Sequence, residues 1–364
     1  MNKIKPKILV VVPSFKILGG VASHYMGLKP YWQCSRVRYV IYGKRRYIPA
    51  MITLLPDYLW FLFQLLFTGC DIVVVNPSLR PYQLRRDSLY VKAAKLFGKR
   101  VVTFIHGWDD NYMEAIVNSP TWFLSRYSCS DRFIVLYSGF KRQLVKAGIE
   151  ESKICLSTTK VDDSLLEGFD ISERNGHVQG ILYLARADRA KRLDIVIKAF
   201  EILKAKHSEL RLDVCGIGDS LAEARDYVES HCIKDVNFAG FVKGDSRIRY
   251  FKRNQIYILP TTHGEGMATS VLEAMAMGMV VISRPLGGVN DFFVNGEHGF
   301  LTKSLDAVDY AAIIDEMIDN PKSVASIAAN NHRFAREHFL ASRVAKSLED
   351  EFNQMINENN STKR

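Results

Sequence analysis

Paired cysteines are missing from this chain. Its six cysteines, at positions 34, 70, 129, 155, 215 and 232, are scattered with no Cys-x-x-Cys spacing, which argues against a zinc site or a disulfide framework. Buried, reduced thiols are the expectation. There is no Asp-x-Asp triplet and no carboxylate or histidine cluster with ligand spacing, so no metal site is expected and a metal-held diphosphate is disfavoured. Long apolar runs are absent too. The most lipid-like stretch, Tyr58 to Phe67 (YLWFLFQLLF), falls well short of the roughly 20 residues a membrane-spanning helix needs. The N-terminus, MNKIKPKILVVVPSF, has only a short apolar run interrupted by Pro13 and reads as a first strand, not as a signal peptide. No internal repeat or low-complexity tract appears.

What is present is ample apolar material. With 364 residues and 48% apolar content the chain can bury a sizeable core, and its length suits two domains. The net charge of +10 favours anionic partners. The basic residues are dispersed and no nucleic-acid recognition motif occurs, so no nucleic-acid partner is expected.

Short apolar runs alternate with helical segments: Ile8 to Val12, Asp71 to Val75, Arg100 to Ile105 and Arg132 to Leu136. Continuous apolar strands between helices predict a parallel sheet covered on both faces. DISERNGHVQG, Asp170 to Gly180, breaks the pattern and reads as a linker. The alternation restarts with Gly180 to Ala185, Arg211 to Cys215, Val236 to Phe238, Gln255 to Leu259 and Met279 to Ser283. The expected fold is α/β, with two Rossmann-like doubly wound domains facing across a cleft that would bind ligand at the carboxyl ends of their strands. The expected division is 1–172, 173–340 and a C-terminal helix, 341–364, that returns to the first domain and ends in a frayed NENNSTKR tail.

The segment Thr262 to Gly278, THGEGMATSVLEAMAMG, sets Glu265 in a glycine-bearing loop and Glu273 in the first turn of an apolar helix. A helix start presents unpaired amides to an anion, and carboxylates beside it can grip hydroxyls. Ser270 to Glu273 also fits a capping box, in which the serine caps the helix and the glutamate reaches back to its amide. Glu265 is enclosed by Gly264 and Gly266, where backbone can approach a ligand closely.

EGMATSVLEAMAMG, continued by VVISRPLGGVNDFFVNGEHGFL with Gly287, Gly288, Asp291 and Gly299, resembles the Glu-x7-Glu signature of retaining GT-B glycosyltransferases of the group 1, family 4 type. Upstream, LARADRAK resembles that family's Gly-Arg-Leu-x-x-x-Lys-Gly element, which implies diphosphate-binding roles for Arg186 and Lys191. A guanidinium fork and an ammonium at this spacing can neutralise a diphosphate leaving group, while a solvated basic helix start is the plain alternative. The family pattern has glycine where this chain has Ala185 and Arg192.

The resemblance implies further contacts. Gly19 and Gly20 in PSFKILGGVASH would approach the donor or acceptor, and a tight strand-to-helix turn explains them equally well. His106 in FIHGWDD matches a strand-His-Gly element and would contact the transferred sugar, although a lone histidine there is more often structural. Gly216 and Gly218 in CGIGD and Val242 in FAGFV would serve the nucleotide, as would Gly266, Met267, Ala268, Thr269 and Glu273. STTKVDD, Ser157 to Asp163, replaces the family's Asn-Gly-Val-Asp and contributes no site residue.

The resemblance thus implies metal-independent, retaining hexosyl transfer from a UDP- or GDP-sugar to a glycan or lipid-linked acceptor, in bacterial cell-surface polysaccharide or lipopolysaccharide assembly. No other cofactor is implied. Two rivals share the fold, a sugar-nucleotide epimerase and an inactive sugar-nucleotide-binding module. A cytoplasmic protein, peripheral on the inner face of the plasma membrane, is the expected setting. Tyr58 to Phe67, near Lys44, Arg45 and Arg46, fits either a helix resting on an anionic membrane or a buried helix covering the sheet.

Overall fold

The computed structural model describes residues 5–17, 19–33, 36–43, 50–264 and 266–362; Glu265, Cys34 and the Lys44, Arg45, Arg46 run lie outside them. The chain divides into two compact units, Met1–Lys160 with Ala341–Arg364, and Val161–Leu340.

In the first unit the strands are β1 (Lys7–Pro13), β2 (Arg36–Tyr42), β3 (Ile72–Val75), β4 (Arg100–Phe104), β5 (Arg132–Val135) and β6 (Ile154–Leu156). Between them run α1 (Gly20–Leu28), α2 (Ala50–Phe67), α3 (Pro81–Leu96), α4 (Asp110–Asn118), α5 (Thr121–Tyr127) and α6 (Ser138–Lys146). The sheet is parallel, in the order β2-β1-β3-β4-β5-β6. Ile8 to Val12 are almost wholly buried, as a central strand covered on both faces requires, and each such side chain contributes about 1.5–3 kcal/mol. Local chemistry sets the helix ends: Pro81 occupies the first turn of α3, and the Asp109 carboxylate caps α4 by accepting from Tyr112 N at 2.9 Å.

The second unit contains β7 (Gly180–Leu184), β8 (Arg211–Cys215), β9 (Val236–Gly240), β10 (Ile256–Leu259), β11 (Val280–Ser283) and β12 (Gly299–Leu301). Its helices are α7 (Leu193–Lys204), α8 (Ser220–Ser230), α9 (Asp245–Arg253), α10 (Thr269–Ala276), α11 (Ala307–Asp319) and α12 (Pro321–His338). This sheet is also parallel, in the order β12-β11-β10-β7-β8-β9. Each unit is therefore doubly wound, with its strand order reversing between β1 and β3 in the first and between β7 and β10 in the second. Ligands of such sheets bind at those reversals, outside the carboxyl ends of the strands.

The last helix, α13 (Ala341–Thr362), belongs to the first unit, where it packs against α1. Glu351 lies 2.6 Å and Glu358 3.0 Å from the Arg132 guanidinium. The tail expected to fray stays helical to Thr362.

Two further expectations change. The stretch read as a linker is built into the second unit. Arg174 is buried and donates to the carbonyls of Phe251, Lys252, Asn254 and Met277 at 2.6–3.2 Å. The cysteines are not uniformly buried: Cys70 and Cys215 are, Cys155 is half-buried, and Cys129 and Cys232 are exposed; all five are free thiols.

Candidate functional site

Three loops meet at the strand-order reversal of the second unit. After β7 the chain runs through Arg186 into a single 3-10 turn, Arg189–Lys191. After β10, Thr262 N donates to Ala190 O at 2.7 Å, which ties the start of the Glu265 loop to the turn that carries Lys191. At the loop's other end Gly288 N donates to Gly266 O at 2.9 Å, and a Cβ on Gly288 would collide with that same oxygen and with Met267. The described residues on either side of Glu265, Thr262 and Gly266, are thus each tied to a neighbouring loop.

The two cations here are unlike one another. Lys191 is only 7% exposed, and burial lowers its pKa below 10.5, with the Arg186 charge adding to that and Asp188 opposing it. Arg186 is 77% exposed and lies 3.7 Å from Asp188, a surface pairing weak enough to yield to a stronger anion. Arg192, at a position where the family pattern has glycine, holds a left-handed backbone (φ 54°, ψ 48°), the conformation glycine adopts most readily. Its guanidinium grips Asp194 through two bonds of 2.8 and 2.9 Å.

The capping-box reading of Ser270 and Glu273 is overturned. Helix α10 begins at Thr269 with Ala268 as its N-cap, so Ser270 is already inside the helix and Glu273 sits in the second turn. The Ser270 hydroxyl accepts from Tyr257 OH at 2.7 Å, and the Glu273 carboxylate binds Arg247 NH1 at 2.8 Å. With no side chain capping α10, its first amides remain open to an anion. Glu273 is buried, and its partner Arg247 on α9 has an Nε with no acceptor among the described residues. Arg247 was not legible as a site residue, since DSRIRYFKR reads as an ordinary basic helix.

Gly216 and Gly218 have a demonstrable packing role. Side chains at these positions would run into the backbone of Ala185 and Ala187, and Gly216 has φ +146°. Bonds from Ala185 N to Cys215 O (3.1 Å) and from Ala187 N to Ile217 O (3.0 Å) bind the two loops, so these glycines seat the loop that presents Arg186. Gly216 N in turn donates to Gly240 O at 2.7 Å, and the exposed Phe241 and half-buried Val242 follow directly.

In the first unit His106 follows β4, near the reversal between β1 and β3. Asn76 Nδ2 donates to Val11 O at 3.0 Å, which turns Asn76 Oδ1 towards Tyr25 OH (2.9 Å) and His106 Nε2 (3.2 Å). His106 therefore carries its proton on Nε2 and leaves Nδ1 as an acceptor. Its ring stacks on Phe104 at 3.9 Å, and burial lowers its pKa to about 3, so it is neutral at physiological pH. Gly19 and Gly20 face open space: a Cβ on either would meet nothing within 4 Å, and Gly19 is simply extended. Among the described residues, then, no steric contact requires glycine at either position.

His24 went unread in the sequence. It is buried among Tyr25, Phe104 and His106 with no hydrogen-bond partner on either ring nitrogen among the described residues. Burial, then the charges of His106 and Lys160, hold its pKa well below 6.5. Both folded-state values lie below the unfolded one, so folding releases protons at mildly acid pH. Stability should be complete above about pH 6.5 and fall steadily as pH drops towards 3. His24→Phe should blunt that loss, giving a higher melting temperature than wild type at pH 5 and little difference at pH 8. Parallel pH profiles for the two proteins would contradict the assignment.

Residues 168–334 match the model of a family described as glycosyl transferases group 1. The second unit matches the group 1 glycosyl transferases. Among similar proteins, the amylovoran biosynthesis glycosyltransferase AmsK of Erwinia amylovora is 25% identical over 72% of this chain and 62% of its own length. An uncharacterized glycosyltransferase of Methanocaldococcus jannaschii is 23% identical over 59% of this chain and 53% of its own. The chain thus spans between half and two-thirds of the length of these curated relatives. Among solved structures, Anabaena HepE in complex with UDP and glucose superposes with a TM-score of 0.72 at 16% identity, covering 96% of this chain and all of that one. The fold is GT-B, built from two Rossmann-like domains.

Proposed function

We propose that this chain is a retaining, metal-independent glycosyltransferase that moves a hexosyl group from a UDP- or GDP-sugar to a glycan or lipid-linked acceptor in bacterial cell-surface polysaccharide assembly. The observation that carries the reading is the convergence of the Lys191 turn, the tied residues Thr262 and Gly266 and the uncapped start of α10 at one strand-order reversal. The match to group 1 glycosyl transferases, the polysaccharide-assembling relative and the UDP complex of HepE support the same chemistry.

In this reading Arg186, Lys191 and the amides of Gly266, Met267, Ala268 and Thr269 take the negative charge that grows on the departing diphosphate. Glu273 holds the ribose diol, Glu265 a hydroxyl of the donor sugar, and Val242 the base through its backbone; Glu265's role rests on the sequence alone. His106, neutral at physiological pH, would accept a hydroxyl of the transferred sugar at Nδ1. The bond from the anomeric carbon to the β-phosphate oxygen breaks as the acceptor oxygen bonds the same face, and the leaving phosphate oxygen takes the acceptor's proton.

The anomeric outcome tests this reading. Proton NMR of the product is expected to show the donor's configuration, and an inverted product would refute the same-face route. Running the assay with and without acceptor separates the epimerase alternative, which would turn the donor into an epimeric sugar nucleotide unaided.

A further inference from the structure

A helix on the outside of a globular unit ordinarily turns its polar face to water, and α2 does the opposite. Phe61 and Leu65 are buried against the sheet, while Leu55, Leu59, Phe63 and Leu66, with Trp60 and Phe67 beside them, are 46–71% exposed. Every exposed residue from 52 to 67 is apolar. The helix's one charge, Asp57, is buried and accepts from Gly43 N at 2.8 Å. Trp60 stacks on Phe63 at 5.3 Å and Phe63 meets Phe67 at 4.5 Å, so an aromatic ladder runs along the outer face.

Helix α3, which packs against α2, continues the pattern with cations added. Its outward positions Tyr82, Arg85, Leu89, Lys92 and Leu96 alternate apolar with basic, and its one acid, Asp87, is buried and gripped by Arg86 through bonds of 2.7 and 3.0 Å. Among the described residues the two helices expose no carboxylate.

We infer that the outer faces of α2 and α3 dock on a bilayer bearing anionic lipid, with α2 lying in the plane of the interface. An apolar stripe flanked by cations and lacking anions matches that surface on both counts. A second copy of the chain fits less well, because a two-fold contact would set Arg85 and Lys92 against the same patch, which has no carboxylate to pair them. No helix among the described residues is long and apolar enough to cross a membrane, which leaves α2 lying along it. The inference does not depend on the glycosyltransferase reading.

Vesicle flotation of the whole chain, without sugar nucleotide, tests it. Vesicles of phosphatidylcholine with about 30% phosphatidylglycerol should carry the protein up at low salt, and pure phosphatidylcholine should carry far less. Leu59→Ser with Phe63→Ser, and separately Arg85→Glu with Lys92→Glu, should each lower the bound fraction about tenfold, with the melting temperature unchanged because these side chains are exposed. Failure of the wild type to float at low salt, equal binding to neutral vesicles, or indifference to both double changes would overturn the inference. So would a wild-type dimer that the Leu59 and Phe63 changes dissociate while vesicles bind neither form.

Discussion

Lys191→Met is expected to slow turnover about a hundred- to a thousandfold while leaving the protein at least as stable as wild type. Removing one preorganised group that stabilises developing negative charge costs roughly that much in other enzymes. Lys191 is suited to the role because its burial is unfavourable to its own charge, as its lowered pKa records. That unfavourable burial is relieved when an anion arrives. Methionine fills similar space without a charge to desolvate, so stability should hold or rise as activity falls. The sign of the pH effect follows. A lysine whose folded pKa lies below the unfolded value releases a proton on folding, so its cost to stability fades as pH rises through that window. Activity should move the other way, declining at a pH below the ordinary lysine value as Lys191 loses its charge. Steady-state kinetics and thermal melts of the two proteins check both halves; normal turnover in the Lys191→Met protein would remove Lys191 from the site.

Arg174→Ala is expected to destabilise the second unit by about 3–5 kcal/mol, the cost typical of breaking a buried charged network. The four carbonyls that Arg174 binds lie at the carboxyl ends of two helices, Phe251, Lys252 and Asn254 around the end of α9 and Met277 at the end of α10. A cation is favoured there by the aligned peptide dipoles. Burial lowers the guanidinium's pKa to about 10, which still leaves it charged at neutrality. Alanine would strand all four acceptors in a cavity. Lysine would keep the charge but lose the planar fork, so Arg174→Lys should fall between the two. In urea, the transition of the second unit should shift to lower concentration while that of the first stays in place. An unchanged second transition would contradict the anchoring role.

How far the sequence could be read depended on distance along the chain. Strands such as β1 and β3 were legible because burial on both faces makes them unbroken apolar runs. Strand β2 was missed because Arg36 and Arg38 alternate with apolar residues at the sheet edge, and β6 and β12 because three residues carry no period. The Lys191 turn and the Glu265 loop are local, so their motifs lie in contiguous residues. Partners brought together by folding left no such trace. Arg247 reaches Glu273 from another helix, Asn76 orients His106 from 30 positions away, and Arg174 looked like linker because its acceptors lie more than 70 residues further on. The capping box failed for a related reason. Its spacing was right, but the helix starts one residue before Ser270, and the serine's hydroxyl is engaged by Tyr257.

The central claim, that the second unit holds a nucleotide-sugar without a metal, is tested most directly by thermal shift with UDP-, GDP- and ADP-sugars in the presence of a chelator. A ligand at about 100 times its dissociation constant adds about 2.7 kcal/mol to the native state, which should raise the melting temperature by several degrees. Such a rise is expected with one nucleotide class and should be lost in Glu273→Gln and in Lys191→Met; no shift with any sugar nucleotide, or an equal shift in both variants, would contradict metal-free binding at this site.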